Sequence, residues 1–224
     1  MTASITRGGT LEAVCRVHQL LPDPGVFGVT AIDKRPTDAT VKVTPWGLYA
    51  DVQADREHHG GREQAVYAYS QEEADAWSQR LGRDIPPGLF GENLRVSGVA
   101  VTDALIGEQW KIGSALLEAT IPRQPCAIFA RRMGEQSWVR RFTEQADTGA
   151  YFRVLRKGAV TAGDAVEVVH RPSHGISIRD LFVGPTPEQA RTLLAGREAR
   201  DWELTPKVVR EVERVLAPSS RPSS

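Results

Sequence analysis

Between Leu11 and Arg171 the apolar positions fall in short runs, each broken by glycine or proline. "TLEAVCRVHQL" is apolar and rich in strand-forming residues. In "ATVKVTPWG", Val41 and Val43 alternate with polar neighbours until Pro45 and Gly47 break the run, and "QAVYAYS" alternates about Val66. "GEQWKIGSALLEATI" reads as a hairpin, with Trp110 and Ile112 on one arm, Gly113-Ser114 at the turn, and Leu116 and Leu117 on the other arm. "YFRVLRKG" and "GDAVEVV" read as a second such pair. Many short strands punctuated this way predict a mainly β chain, a barrel or sandwich rather than βαβ units.

Helical spacing interrupts the strands at two places. Ser70 and Glu73 form a capping-box signature; Ala74, Trp77 and Leu81 then share a face, and Gly82 ends the run. "EQSWVRRFTE" puts Trp138, Val139 and Phe142 on one helical face. Beyond "HRPSHG" the pattern turns wholly helical. Ser177 and Asp180 open a short helix carrying Leu181. Thr186-Pro187 opens a second, with Gln189 at the capping-box position, Ala190, Leu193 and Leu194 inside, and Gly196 at its end. Thr205-Pro206 opens a third, with Val208, Val209, Val212, Val215 and Leu216, and Pro218 beyond. The expected organisation is a β domain over 1–172, a small three-helix appendage over 173–217, and a disordered tail over 218–224.

Composition narrows the chemistry. The chain has 224 residues, 41% hydrophobic and 25% charged, with 28 basic and 28 acidic side chains. That balance argues against a nucleic-acid or anionic-membrane binder, while leaving room for a local basic pocket. No run approaches the ~20 apolar residues of a membrane span. The N-terminus lacks the apolar core of a signal peptide. With two cysteines, Cys15 and Cys126, the expectation is a cytoplasmic protein with free thiols.

Four stretches could carry chemistry, each with a plainer alternative. In "EHHGGREQAVYAY", Gly60 and Gly61 beside His59 and Arg62 could bind an anion through backbone N–H groups, or form a simple loop. In "PPGLFGENLRVSG", Glu92 and Asn93 offer a carboxylate and an amide, the amide suited to a pterin or purine edge, or simply cap a turn. In "IPRQPC", Pro122 and Pro125 stiffen the backbone that presents Cys126. Guanidinium groups favour thiolates, the form that attacks or binds metal, and Arg123, Arg131 and Arg132 are near in sequence. The alternative is that Cys126 is a small buried hydrophobe. In "DKRP", Lys34 and Arg35 could hold a phosphate, as could Arg153 and Arg156, or be surface charge. Cys15, mid-strand in "AVCRV", reads as structural. There is no zinc-ligand spacing, Walker loop, GxGxxG after a strand, or GxSxG elbow.

In their order, "WGLYADVQADREHHGGREQAVYAY", "FGENL", "IPRQPC" and "GAYFRVLRKGAVTAGDAVEVV" resemble the MOSC domain, named for the molybdenum-cofactor sulfurase C-terminus, and within it the stand-alone bacterial YiiM-like type. The resemblance runs from Leu11 to Arg171, and Ser177 to Leu216 resembles that type's three-helix appendage. It implies a β-barrel-like fold with a few inserted helices. It implies a molybdenum–pterin cofactor with Cys126 as metal ligand and catalytic centre. By motif match, Lys34, Arg35, His59, Gly60, Gly61, Glu92, Asn93 and Arg123 become cofactor contacts. Relatives such as the mitochondrial amidoxime-reducing component reduce N-hydroxylated compounds, so the implied activity is that of a reductase of such small molecules. No flavin, haem or iron–sulfur motif is visible, so electrons would come from a separate flavoprotein or ferredoxin-type partner. A homodimer is compatible with this. Two other classes stay open, a persulfide sulfur carrier using Cys126 and a non-catalytic binding module. The chain departs from the family at Ala50-Asp51, where Gly-Asp is frequent, and alanine suits a positive φ poorly.

Overall fold

The computed structural model describes residues 8–25, 28–52 and 61–217. In chain order its strands are β1 (Gly8–Val17), β2 (Leu21–Pro22), β3 (Val29–Thr30), β4 (Lys34–Thr37), β5 (Val41–Thr44), β6 (Gly47–Leu48), β7 (Val66–Ser70), β8 (Leu94–Ser97), β9 (Gln109–Ile112), β10 (Ala115–Pro122), β11 (Ala150–Arg156), β12 (Gly158–Val160) and β13 (Ala165–His170). The helices are α1 (Gln71–Leu81), α2 (Ala127–Met133), α3 (Trp138–Gln145), α4 (Ile178–Val183), α5 (Pro187–Ala199) and α6 (Pro206–Leu216). The tail 218–224, with the expectation that it is disordered, lies outside the described residues.

Seven strands close into a barrel in the order β13-β9-β10-β11-β7-β8-β1, with β1 pairing back to β13. Closure removes the exposed edges that an open sheet would present. Every step is antiparallel except β7–β8, which is parallel. Parallel neighbours cannot be joined by a tight turn. Here α1 carries the chain across, so one βαβ step sits inside an otherwise antiparallel barrel. Ser70 Oγ accepts from Glu73 N–H at the start of α1, and Gly82 closes it with φ 62°. The ten residues of β1 serve three neighbours. Its first half closes the barrel against β13 and β8, and its second half, Val14–Val17, pairs with β4. That register sets Lys34 opposite Val17.

The predicted β9–β10 hairpin forms around Gly113-Ser114, with Trp110 opposite Leu117. The second predicted hairpin does not form. Strand β11 lies between β10 and β7, while β13 lies between β9 and β1, on the other flank of the β9–β10 pair. Between them β12 pairs instead with β5, and its Ala159 exchanges hydrogen bonds with Ser114 in the hairpin turn. The segment joining β11 to β13 is thus occupied by a second sheet.

One apolar cluster fills the barrel with residues such as Leu11, Val66, Leu94, Trp110, Ile112 and Phe152. It continues without a break into Leu181, Ala190, Leu193, Val208 and Val212 of α4–α6. Burying a side chain of this size contributes about 1.5–3 kcal/mol. A second cluster is aromatic. Trp77 of α1, Phe90, Phe129 of α2, and Trp138 and Phe142 of α3 meet at centroid distances of 4.7–6.2 Å. Val139 does not join them. One residue round the helix from Trp138 turns it by about 100°, and it is 39% exposed. The capping boxes predicted at Ser177/Asp180 and Thr186/Gln189 are both present. Gly196, however, does not end α5. The helix runs to Ala199 and is closed by Arg200 at φ 64°. Gly196 is needed inside the helix because a Cβ there would overlap the Trp202 indole. Among the described residues no helix is long and apolar enough to cross a membrane.

Candidate functional site

Strand β10 ends at Pro122, and four residues later Cys126 is the N-cap of α2, with extended backbone at φ −133°, ψ 172°. The aromatic cluster fixes this helix from beneath through Phe129 and Met133. From above, Arg131 donates to Asp23 through Nε and Nη2 at 3.0 and 2.6 Å, and Arg132 Nη2 donates to Asp33 at 2.7 Å. These two arginines therefore hold α2 in place. They are spent on aspartates, contrary to the expectation that they add to the field at Cys126. Cys126 is partly exposed on the wall of a cavity of about 130 Å³ that Lys34, Asp51, Asn93, Arg123 and Tyr151 also line.

Arg123 is the buried cation of this cavity. Its guanidinium carbon lies 4.3 Å from the Phe129 ring centroid and 5.0 Å from that of Tyr67. Nη1 donates to the Phe90 carbonyl at 2.7 Å, and buried Nε has no hydrogen-bond partner among the described residues. Burial works against its charge, but Tyr67, Tyr151, Cys126 and Glu92 outweigh that and raise its pKa. Burial likewise pushes the Tyr67 and Tyr151 phenols above their ordinary range, with Arg123 opposing. Both therefore stay protonated near neutrality. The two cysteines differ in burial. Cys15 is fully buried in β1, and desolvation above all pushes its thiol up to about 12.

Asp51 organises the other wall. It accepts from Lys34 Nζ at 2.7 Å, from Asn93 Nδ2 at 2.7 Å and from the Val17 N–H at 2.8 Å. Asn93 is equally engaged. Its Oδ1 accepts from Tyr67 N–H at 3.2 Å, and Nδ2 also donates to the Cys15 carbonyl at 3.3 Å. Its amide knits β1, β7 and the Asp51 turn together at the cavity edge. The residue before Asp51 is Ala50, and its φ is 61°. The left-handed turn that glycine would favour is made here by alanine.

The remaining candidates are placed elsewhere. Glu92 is fully buried beneath the cavity as the counter-ion of Arg95, whose Nε and Nη2 both donate to Oε1, and Gly88 N–H donates to the same oxygen. Arg35 follows Lys34 on strand β4 and so points the other way. Its side chain is 55% exposed and lies 3.4 Å from Asp33. Gly61 adopts φ 89° ahead of the short turn Arg62–Gln64 and is not a cavity wall. His59 and Gly60 lie outside the described residues. Arg153, the candidate phosphate ligand on β11, is instead surrounded by Glu118, Glu63 and Glu203.

Sequence reasoning missed Asp51, Tyr67, Tyr151 and Gln124 as cavity residues. Asp51 had a signal in the Ala50-Asp51 step. The tyrosines sit in alternating strands that read as core, and nothing in an alternation tells which buried tyrosine borders a cavity.

The MOSC domain family model matches residues 55–167. Protein YflK of Bacillus subtilis (strain 168) is 35% identical over 150 residues, 67% of this chain and 68% of that protein. Protein YiiM of Escherichia coli (strain K12) is 28% identical over 148 residues, 64% of this chain and 66% of that one. A protein of Gibberella moniliformis (strain M3125 / FGSC 7600) named reductase is 30% identical over 151 residues, which are 64% of this chain but 26% of the fungal one. The crystal structure of YiiM from Geobacillus stearothermophilus superposes with a TM-score of 0.75 over 93% of this chain and 100% of that one, at 23% identity, a likeness of fold. The chain belongs to the MOSC domain family, in the YiiM-like form with C-terminal helices.

Proposed function

We propose that this MOSC protein is an oxidoreductase that holds the molybdenum cofactor at Cys126 and reduces N-hydroxylated small molecules. The observation that carries the reading is a partly exposed thiol on a cavity wall beside a buried guanidinium. Family membership and the relative named reductase support it.

The residues present fit the group. A thiolate is a soft ligand of the kind that sulfur-bound metals take, and a bound metal keeps such a thiol deprotonated. Among the described residues no cluster of three or more His, Cys, Asp or Glu could hold a metal. A single thiolate suits a metal whose remaining ligands come with the cofactor, as the dithiolene sulfurs of a molybdenum–pterin group would. Arg123 Nε, buried without a partner, is a donor for an anionic or carbonyl group in the cavity. Lys34 adds a second cationic donor held in position by Asp51.

When bound, the cofactor supplies two-electron reduction; the net change takes N–OH to N–H, consuming two electrons and two protons and releasing water. The chain's own part is binding and proton supply. Cys126 would anchor, Arg123 would orient and neutralise, Lys34, its charge matched by Asp51, would add a hydrogen-bond donor, and the Tyr151 phenol on the cavity wall, kept protonated by burial, would be a proton source for the departing oxygen. Electrons come from a separate flavoprotein or ferredoxin-type partner, in the cytoplasm.

The test is molybdenum per chain in protein made by a host that supplies the cofactor. Near-stoichiometric metal in wild type, its loss in Cys126→Ser, and parallel loss of hydroxylamine reduction are expected. A Cys126→Ser protein that keeps both metal and activity would refute the reading. No metal in either protein would turn attention to a persulfide on Cys126, visible as a reducible mass increase of about one sulfur.

A further inference from the structure

A second cavity, of about 270 Å³, lies between the barrel and the C-terminal helices. Its apolar walls are Ile121 and Pro122 at the end of β10, Leu181 of α4, Val208 of α6, and Tyr151. Tyr151, Gln64 and Gln124 line this cavity and the Cys126 cavity alike. The two spaces therefore adjoin at one tyrosine and two amides. The same short stretch, Pro122 to Cys126, borders both.

Among the described residues the second cavity has two ionic side chains, and each has a partner. Lys207 Nζ donates to Gln64 Oε1 at 2.9 Å, and Glu211 receives the Arg214 guanidinium at 2.6 and 3.2 Å. The described walls are mainly apolar, with one charge of each sign, each already paired, and suit an uncharged flat guest. Its volume sits just below the ~300 Å³ at which small-molecule sites begin, room for one or two rings. The Gln124 amide at the junction can donate and accept along the edge of a flat polar head group.

We infer that this second cavity binds the neutral, planar aromatic body of the substrate while its N–OH head group lies in the Cys126 cavity, and that α6 determines which bodies are accepted. The inference rests on the proposed reductase reading, and it makes the C-terminal helices part of substrate selection.

Calorimetric titration of the full chain before cofactor loading tests it without requiring turnover. The probes are benzamidoxime, which carries a one-ring body, and acetamidoxime, which has none. Wild type should bind benzamidoxime at least tenfold more tightly than acetamidoxime. Val208→Phe or Leu181→Phe, which fill the cavity, should erase that difference. Val208→Ala, which enlarges it, should tighten binding of 2-naphthamidoxime, a gain that a merely damaged fold would not produce. If either filling variant fails to fold, the other and the enlarging variant carry the test. Equal affinity for the two probes in wild type, or benzamidoxime affinity unchanged in a folded filling variant, would overturn the inference. In the molybdenum-loaded protein the filling variants should raise KM for benzamidoxime at least tenfold more than KM for acetamidoxime. Tight, cavity-dependent binding with no reduction of any N-hydroxylated compound would sink the reductase reading but keep the cavity's ligand. Reduction with KM unmoved by the filling variants would do the reverse.

Discussion

Ala50 holds a backbone conformation in which an L-residue is strained by about 1–2 kcal/mol. Glycine removes that strain but loses about 0.5–1 kcal/mol more in ordering. The strain is the larger quantity, so Ala50→Gly should stabilise the protein by about 0.5–1 kcal/mol, read as a higher urea midpoint with unchanged slope. An unchanged or lower midpoint would mean that the turn relaxes elsewhere. Its neighbour Asp51 joins Lys34, Asn93 and the Val17 amide, so this turn also shapes the cavity. The two cysteines make a second residue-scale prediction. Cys15 is wholly buried and titrates near 12, whereas Cys126 borders a cavity. A maleimide at pH 7 should label one thiol per native chain and two after denaturation, with peptide mapping assigning the native label to Cys126. Native labelling of Cys15 would contradict the packing of β1.

At the scale of elements, helices α1 and α4 meet through a charged contact near the barrel. Glu73 of α1 lies 3.8 Å from Arg179 of α4, and Arg179 also binds Asp103 and Asp147. Burial, more than anything else, raises the Glu73 pKa to about 7, with Asp147 and Asp103 adding to it and Thr102 and Arg179 opposing. The unfolded chain would titrate near the ordinary Glu value of about 4.3. A folded pKa above the unfolded one means that the native state holds the proton between these values. The contribution is present in full below about pH 4, and stability falls as pH rises towards 7, by roughly 3 kcal/mol in total. Glu73→Gln should remove this slope, so that denaturation midpoints at pH 5 and pH 7 converge. A slope undiminished in the variant would place the titration on another group.

At the scale of the whole molecule, the helices after Arg171 are bound to the barrel through both packing and backbone. Ile106 N–H donates to the Ile176 carbonyl, Ile178 N–H to the Ala104 carbonyl, and Arg171 Nε to buried Glu108 at 2.6 Å. Leu181, Val208 and Val212 belong to the same buried cluster as the barrel residues. Ending the chain at Arg171 should therefore expose apolar surface on the barrel, several kcal/mol by area, and open the second cavity on one side. A large fall in the thermal midpoint and binding of a hydrophobic dye are expected. A truncated chain melting with the full-length one would show the helices to be an independent unit.

The local patterns were enough for most of the elements. Alternating valines made strands, capping boxes at Ser177 and Thr186 made helix starts, and the Gly113-Ser114 turn made a hairpin, because each depends on neighbours in sequence. The quoted motifs were enough for the family, and they singled out Cys126 and Arg123, which the fold places on one cavity wall. Pairing was different. That β11 and β13 flank one hairpin rather than each other, and that Gly196 stays inside a helix to admit Trp202, depend on residues remote in the chain. So did the sorting of the charges. Lys34, Arg35, Glu92, Arg131 and Arg132 look alike as sequence, and only their partners separate a cavity wall from a buried ion pair or a helix clamp. Sequence determines which groups are present; whether a charge faces a cavity or a counter-ion is decided by which distant segments fold against it, since Coulomb and desolvation energies depend on distance and burial in space.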